Sequence, residues 1–185
     1  PGVQFGRFNS KNIQFLEKAK RGRYPQNVRS TTGLQFDNCG HSPGLINIFP
    51  SPINKETAKM ALELETDILL QLQELGYDMS ERVFYASRLG STERGVLQQA
   101  HVDFEEPEKF LSERKAKCPI ACLFPTSVES CYLQVWPSGS GYGKIIRLEL
   151  GEILFFMPCL VHAGGLGKGC PRVQAYIINE EGVNS

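Results

Sequence analysis

The stretch GEILFFMPCLVH at residues 151–162 decides the fold. It begins as a run of strand-forming apolar residues, is interrupted by a proline, and ends at His162. Ten residues later, the stretch RVQAYII at 172–178 alternates polar and apolar side chains, which predicts a strand with two unlike faces. One face carries Arg172, Gln174 and Tyr176, and the other is apolar. Two strands near the end of the chain therefore bring polar side chains to a sheet with a buried face.

Other short segments share this strand character. They are residues 82–89, 96–104, 120–124, 130–136 and 144–150, and turns rich in glycine, proline and serine separate many of them. This pattern is typical of an antiparallel sandwich or barrel and not of a parallel α/β sheet. We therefore predict a mostly β protein with flanking helices, built as a double-stranded β-helix (jelly roll, cupin-like).

The N-terminal part has a different character. Apolar residues recur at helical spacing over 55–75, and Gly76 follows where a helix C-terminal cap is expected. We predict that helix, a shorter one from Ser10 to about Arg21, a strand within residues 1–8, and a loop over 24–51 with a short strand near 45–49. We expect one domain over 1–185, in which residues 1–81 form a helical, basic support region and 82–181 the catalytic core.

The triplet His101-Val102-Asp103 predicts a metal site. On an extended strand, residues i and i+2 project from the same face, about 6.5 Å apart. A third ligand on another strand, His162, would complete a set of two histidines and one carboxylate. Non-haem Fe(II) oxygenases use this set because it leaves coordination positions open for a co-substrate and dioxygen. We predict His101, Asp103 and His162 as metal-binding and catalytic residues.

The order of these motifs resembles the Fe(II)/2-oxoglutarate-dependent dioxygenases. The resemblance covers roughly residues 82–181 and rests on His-x-Asp, a strand running into His162, and Arg172 on the last strand. Within that superfamily the chain is most similar to the prolyl-hydroxylase-like and phytanoyl-type branches. The resemblance implies hydroxylation of a substrate C–H bond, with dioxygen as oxidant and decarboxylation of 2-oxoglutarate to succinate. It implies Fe(II) as cofactor and, in some members, ascorbate as reductant.

The resemblance also implies a binding site for 2-oxoglutarate. Arg172 would bind the distal carboxylate, in agreement with the parallel hydrogen bonds that a guanidinium donates to a carboxylate. Gln174 or Tyr176 would add a hydrogen bond, although many members carry Ser or Thr at the position of Gln174. Tyr85 and Arg88 are candidates for the residue that several branches place on an early strand.

Two other classes of function fit the same fold. A cupin-like metal protein that uses another reductant, or none, would keep the metal ligands without needing Arg172. A non-catalytic jelly-roll interaction domain would need neither. The substrate itself is not identified by any motif, and protein side chains, nucleic acids and small molecules all fit the class.

Charge is unevenly distributed along the chain. Residues 1–31 hold seven Lys or Arg and one Glu, a net charge of +6, which leaves −6 for the rest of a neutral chain. A basic segment of this kind can attract nucleic acid or another acidic macromolecule, but it is also what the solvated face of a short helix looks like, and we favour that interpretation.

The remaining features point to an intracellular protein, cytoplasmic or nuclear. Six cysteines without a Cys-x-x-Cys pair suggest free thiols in a reducing compartment. The longest apolar run, 153–161, contains a proline and is too short to cross a bilayer, so we expect no membrane contact. Because the chain begins at Pro1, we expect a trimmed or processed piece from which targeting signals are missing.

Overall fold

A computed structural model describes residues 2–19, 34–43, 45, 54–79, 82–91, 98–103, 119–137, 141–164 and 171–179. In the strands 34–43 and 82–91 it describes the backbone and the side chain of Phe84. The elements are β1 (Val3–Arg7), α1 (Ser10–Ala19), β2 (Leu34–Pro43), α2 (Lys55–Glu74), β3 (Arg82–Ser91), β4 (Ile120–Pro125), β5 (Cys131–Trp136), β6 (Lys144–Leu148), β7 (Glu152–Phe156), β8 (Val161–Ala163) and β9 (Arg172–Asn179).

The described strands form two antiparallel sheets. The larger sheet has six strands in the order β1-β7-β4-β9-β3-β2, and the smaller has three in the order β6-β5-β8. Strands distant in sequence are neighbours, as where β9 lies between β3 and β4. Two facing sheets with such crossovers define a double-stranded β-helix, so the predicted fold class is confirmed.

Each face of the larger sheet packs against its own apolar core. One core contains Val173, Ala175 and Ile177 of β9 together with the buried side chains of α1 and α2. The other lies between the two sheets and includes Leu123, Leu133 and Phe156, with Tyr176 packed against it. The alternation of β9 therefore directs its apolar side chains to the helices and its polar side chains to the space between the sheets, as the sequence predicts.

Helix α2 covers the outer face of the larger sheet. The side chain of Asn54 accepts a hydrogen bond from the Thr57 N–H at 2.8 Å and caps the helix start. At the other end Gly76 has φ +87°, and the N–H groups of Gly76 and Tyr77 donate back to Gln73 and Leu72. Its buried residues are Met60, Ala61, Leu64, Ile68 and Leu72. The predicted helix and its glycine cap are both observed.

Polar contacts fasten the N-terminal strand and helix to α2. Asp67 accepts hydrogen bonds from the side chains of Asn9 and Asn12. Gln71 accepts from the Arg7 N–H and donates to the Arg7 carbonyl, so it satisfies a backbone edge of β1. These contacts position residues 2–19 against the β-helix.

Two sequence predictions about strands are wrong. Residues 34–43, predicted as loop, form β2 at the edge of the larger sheet, where the register shifts between Asp37 and Ser42 and Pro43 ends the strand. Of the predicted strand 96–104, the described part 98–103 contains only an isolated bridge at His101. Of the predicted strand at 45–49 the structure describes Leu45 alone, which has a 3₁₀ conformation, so this prediction lies mostly outside the described residues.

Other predictions are only partly open to comparison. Lys11 forms an ion pair with Glu63, while residues 20–33, which hold much of the basic segment, lie outside the described residues. Within the described residues, Cys122, Cys131 and Cys159 form no disulfide bond. In the part of the chain that the structure describes, none of the helices has the length and apolar character needed to span a bilayer. The division at residue 81 stays a prediction.

Candidate metal centre

His101 and His162 are held opposite each other by their backbones. The N–H of each donates to the carbonyl of the other, and both distances are 2.9 Å. His162 lies on β8, where it also pairs with Val135 of β5. Although His101 is not part of a continuous strand, this single antiparallel bridge gives it a fixed position beside the smaller sheet.

Asp103 completes the group from a bend beside the bridge. Its N–H donates to the Pro158 carbonyl at 3.0 Å, which ties the bend to the segment between β7 and β8. Its Oδ1 lies 3.6 Å from Nε2 of His101, and its Oδ2 lies 3.3 Å from Nε2 of His162. One ligand atom from each of the three residues lies within 4.8 Å of the other two, so this group can hold a metal ion.

The two imidazole rings are oriented by the same device. Nδ1 of His101 lies 2.8 Å from the Gln99 carbonyl, and Nδ1 of His162 lies 2.8 Å from the Leu160 carbonyl. A carbonyl oxygen only accepts, so Nδ1 carries a hydrogen in both rings and Nε2 is the nitrogen left to bind a metal. Both Nε2 atoms lie on the side of Asp103. This is the outer hydrogen bonding that metal-binding histidines require, and the residues fit a divalent metal.

The surroundings of Asp103 favour its ionised form. Burial alone would raise its pKa, but the hydrogen bond and charge of His162, a hydrogen bond from Tyr176 and the charge of His101 together lower the pKa from its ordinary value. The carboxylate is therefore present at neutral pH as a negative ligand. Since metal ligands must be deprotonated to bind, the group is electrostatically prepared for a cation.

Gln174 and Tyr176 project from β9 toward this carboxylate. Nε2 of Gln174 donates to Oδ2 of Asp103 at 3.1 Å and to the Tyr176 hydroxyl at 2.7 Å. The Tyr176 hydroxyl is also hydrogen-bonded to Asp103. Burial, followed by the charge of Asp103, raises the pKa of Tyr176 well above its usual range, so the phenol keeps its proton.

Arg172 begins the same strand and is almost completely enclosed, with 1% of its surface exposed. Its backbone pairs with Pro125 of β4 and Leu89 of β3. The guanidinium lies against Gly164, where an added Cβ atom would stand 2.5 Å from Nη2 of Arg172. Because β9 alternates, Arg172 and Gln174 lie on one face, about 6.5 Å apart along the strand.

Sequence reasoning missed two residues beside Arg172. Gln98 donates its backbone N–H to the Gly164 carbonyl at 2.9 Å and accepts from the Gly164 N–H through Oε1 at 3.1 Å. Gly164 could have been found from the sequence, because on an extended strand the residue two positions after His162 lies on the same face as His162. Nothing in the sequence around Gln98 indicates its place.

The remaining predicted residues are placed in part. Tyr85 lies on β3 with its backbone opposite Tyr176, and Arg88 lies opposite Val173. Their side chains are not among those that the structure describes, so their role in binding 2-oxoglutarate stays a prediction.

Comparison with solved structures places the fold. A prolyl hydroxylase from Trichoplax adhaerens, solved with a hypoxia inducible factor oxygen degradation domain peptide, superposes with a TM-score of 0.65 at 10% identity, over 100% of this chain and 87% of that one. A Pseudomonas putida prolyl-4-hydroxylase gives 0.61 at 11% identity, over 97% and 93%. The α-ketoglutarate-dependent epimerase SnoN from nogalamycin biosynthesis gives 0.58 at 14% identity, over 96% and 78%.

These similarities show the fold, a double-stranded β-helix that the chain shares with two prolyl hydroxylases and an α-ketoglutarate-dependent epimerase. At 10–14% identity they are evidence for the fold alone. No protein-family model matches the chain, and no curated protein matches it in sequence.

Proposed function

We propose that this protein is an Fe(II)- and 2-oxoglutarate-dependent dioxygenase that hydroxylates a C–H bond of its substrate. The observation that carries the proposal is the convergence of His101, Asp103 and His162, whose ligand atoms lie within 4.8 Å of one another. Two histidines and a carboxylate are the ligand set of this enzyme class. The motif order fits both the prolyl-hydroxylase-like and the phytanoyl-type branch, and the two prolyl hydroxylases of similar fold lead us to propose the first.

The iron would be held by Nε2 of each histidine and by the carboxylate of Asp103. With 2-oxoglutarate and dioxygen, bound Fe(II) supplies the oxidant for hydroxylation while the co-substrate loses carbon dioxide and becomes succinate. The protein's own part is to bind and orient. The carbonyls of Gln99 and Leu160 hold the imidazole tautomers, and Asp103 supplies the negative charge.

Arg172 is proposed to bind the distal carboxylate of 2-oxoglutarate. It is a permanent positive charge on the β9 face that also carries Gln174, and Gln174 contacts the metal ligand Asp103. Its burial strengthens this role, because charge-assisted hydrogen bonds gain strength where water is excluded. A dicarboxylic acid with one end at the metal would extend its other end along β9 toward this guanidinium.

The deciding experiment adds Fe(II) and 2-oxoglutarate to the protein without oxygen and records the visible spectrum. We expect the weak charge-transfer band of the chelated co-substrate, and succinate formation once oxygen and a substrate are present, assayed with and without ascorbate. The Asp103→Ala variant is the control and should give no band. Iron binding without the band would favour the cupin-like alternative, and no iron binding would favour a non-catalytic domain.

A further inference from the structure

Gln174 has both amide hydrogens committed within the metal centre. Nε2 lies 3.1 Å from Oδ2 of Asp103 and 2.7 Å from the hydroxyl of Tyr176. The amide nitrogen, and not the amide oxygen, must face Asp103, because an ionised carboxylate only accepts hydrogen bonds. The –NH₂ group of glutamine has two donors, and these two acceptors use both of them.

Tyr176 closes this arrangement into a ring. Its hydroxyl oxygen accepts from Gln174, which leaves its own hydrogen for Asp103, to which it is hydrogen-bonded. The carboxylate of Asp103 thus receives hydrogen bonds from two neighbouring side chains of β9, and a further hydrogen bond joins those two side chains. Such a closed network restricts all of its members together.

Asp103 depends on such support more than the histidines do. His162 lies on β8 and His101 in a backbone bridge, whereas Asp103 lies in a bend beyond the bridge. The terminal torsion of an aspartate side chain is broad, so backbone position alone leaves the carboxylate plane free to rotate. Donors from the neighbouring strand β9 restrict that rotation.

We infer that Gln174, together with Tyr176, is a positioning residue that orients the metal-binding carboxylate of Asp103, and is not a ligand of 2-oxoglutarate. The inference rests on the metal site of the proposed function, but not on its reaction. It gives both residues a different role from the one predicted by family resemblance. Many members of the superfamily carry Ser or Thr at this position. The longer side chain of glutamine is what reaches from β9 to Asp103.

The test separates metal affinity from co-substrate affinity. Mn(II) affinity is measured by the electron paramagnetic resonance signal of free Mn(II), and 2-oxoglutarate affinity by calorimetry on protein saturated with Mn(II). We expect Gln174→Leu to weaken Mn(II) binding by about 10–100-fold, the usual effect of losing a residue that orients a metal ligand. Once the site is saturated, 2-oxoglutarate affinity should stay close to that of the parent.

Two further variants keep the test decisive. Tyr176→Phe removes one oxygen and keeps the ring in the core, and it should weaken Mn(II) binding in the same direction even if Gln174→Leu folds poorly. Gln4→Leu is the matched control. Gln4 is a partly buried glutamine of the same sheet, separated from β9 by β7 and β4, and its substitution should leave Mn(II) affinity unchanged.

Unchanged Mn(II) affinity in both site variants would overturn the inference, and so would a selective loss of 2-oxoglutarate affinity in Gln174→Leu. Failure of the proposed function has a different signature. A parent protein that binds Mn(II) but never forms the chelate with 2-oxoglutarate would refute the proposed oxygenase. In that case, weaker Mn(II) binding by Gln174→Leu would still support the positioning role. A parent that binds no metal would refute both.

Discussion

His101 and His162 face each other across one antiparallel bridge, joined by two backbone hydrogen bonds of 2.9 Å. Their ring centroids are 4.6 Å apart. Because the bridge is made by backbone atoms, the separation of the two imidazoles does not depend on a metal being present. The centre is therefore organised by the fold before any ion binds, with side-chain contacts left to orient the rings and the carboxylate.

Removal of one ligand side chain should abolish metal binding without unfolding the protein. His101→Ala removes the imidazole but leaves the backbone bridge to His162 intact. We expect the affinity for Fe(II) or Mn(II) to fall by more than about 100-fold, because a direct ligand contributes more than a residue that only orients a ligand. The metal-free thermal unfolding temperature should change little. Metal content after desalting and differential scanning calorimetry check the two parts, and retention of near-parental affinity would contradict the ligand assignment.

Arg172→Lys should impair the use of 2-oxoglutarate selectively. Lysine keeps the positive charge but loses the planar pair of donors, and each charge-assisted hydrogen bond contributes about 1.5–3 kcal/mol. We expect the KM for 2-oxoglutarate to rise by roughly 10–100-fold, while Mn(II) affinity is retained. An unchanged KM would show that Arg172 does not bind the co-substrate.

Gly164→Ala should also impair the use of 2-oxoglutarate, by crowding the guanidinium of Arg172. The new methyl group would lie 2.5 Å from Nη2 of Arg172, and the flexible end of the arginine must move to make room. Overpacking of this kind costs about 1–3 kcal/mol, so we expect the KM for 2-oxoglutarate to rise by roughly tenfold. Steady-state kinetics at saturating Fe(II) measure it, and a defect confined to metal affinity would contradict the explanation.

Helix α2 should be required for the stability of the larger sheet. Leu64 is completely buried in the core under the helices, and Leu64→Ala should lower the free energy of unfolding by about 2–5 kcal/mol. Leu62 is the matched control on the same helix, with 63% of its surface exposed, and its substitution by alanine should change stability by less than about 0.5 kcal/mol. Urea unfolding of both variants tests the difference, and equal effects would contradict the packing described.

The glycine that ends α2 should contribute through its backbone alone. Gly76 has φ +87°, and an added Cβ atom there would meet nothing within 4 Å. Gly76→Ala should therefore cost about 1 kcal/mol from the left-handed conformation. Gly141→Ala is the control, because that site is equally open and has no positive φ, and it should not be destabilising. Equal stability of the two variants would refute the conformational explanation.

Local patterns in the sequence were sufficient for several elements. Alternation over β9 predicted its polar and its apolar face, and helical spacing over α2 predicted its buried face and the cap at Gly76. The residue types of the metal centre were also identifiable, because few side chains suit a divalent ion. The strand and helix patterns depend on residues close together in the chain, whose geometry is set by the period of the strand or helix.

Where His-x-Asp lies in the fold could not be predicted in the same way. A continuous strand was expected around His101, whereas the described residues 98–103 hold a single bridge and a bend. The loop expected at 34–43 is the edge strand β2, because pairing with β3 overrides its unfavourable composition.

The sequence by itself therefore determined the class of fold and the residue types of the candidate metal centre. Only the tertiary structure decided that Gln174 contacts Asp103, 71 residues away, and that Gly164 makes room for Arg172. The physical reason is that these contacts join segments that only the complete fold brings together, a bend to β9 and the end of β8 to the start of β9. Burial and hydrogen bonding over both sheets stabilise that arrangement, which no local pattern records.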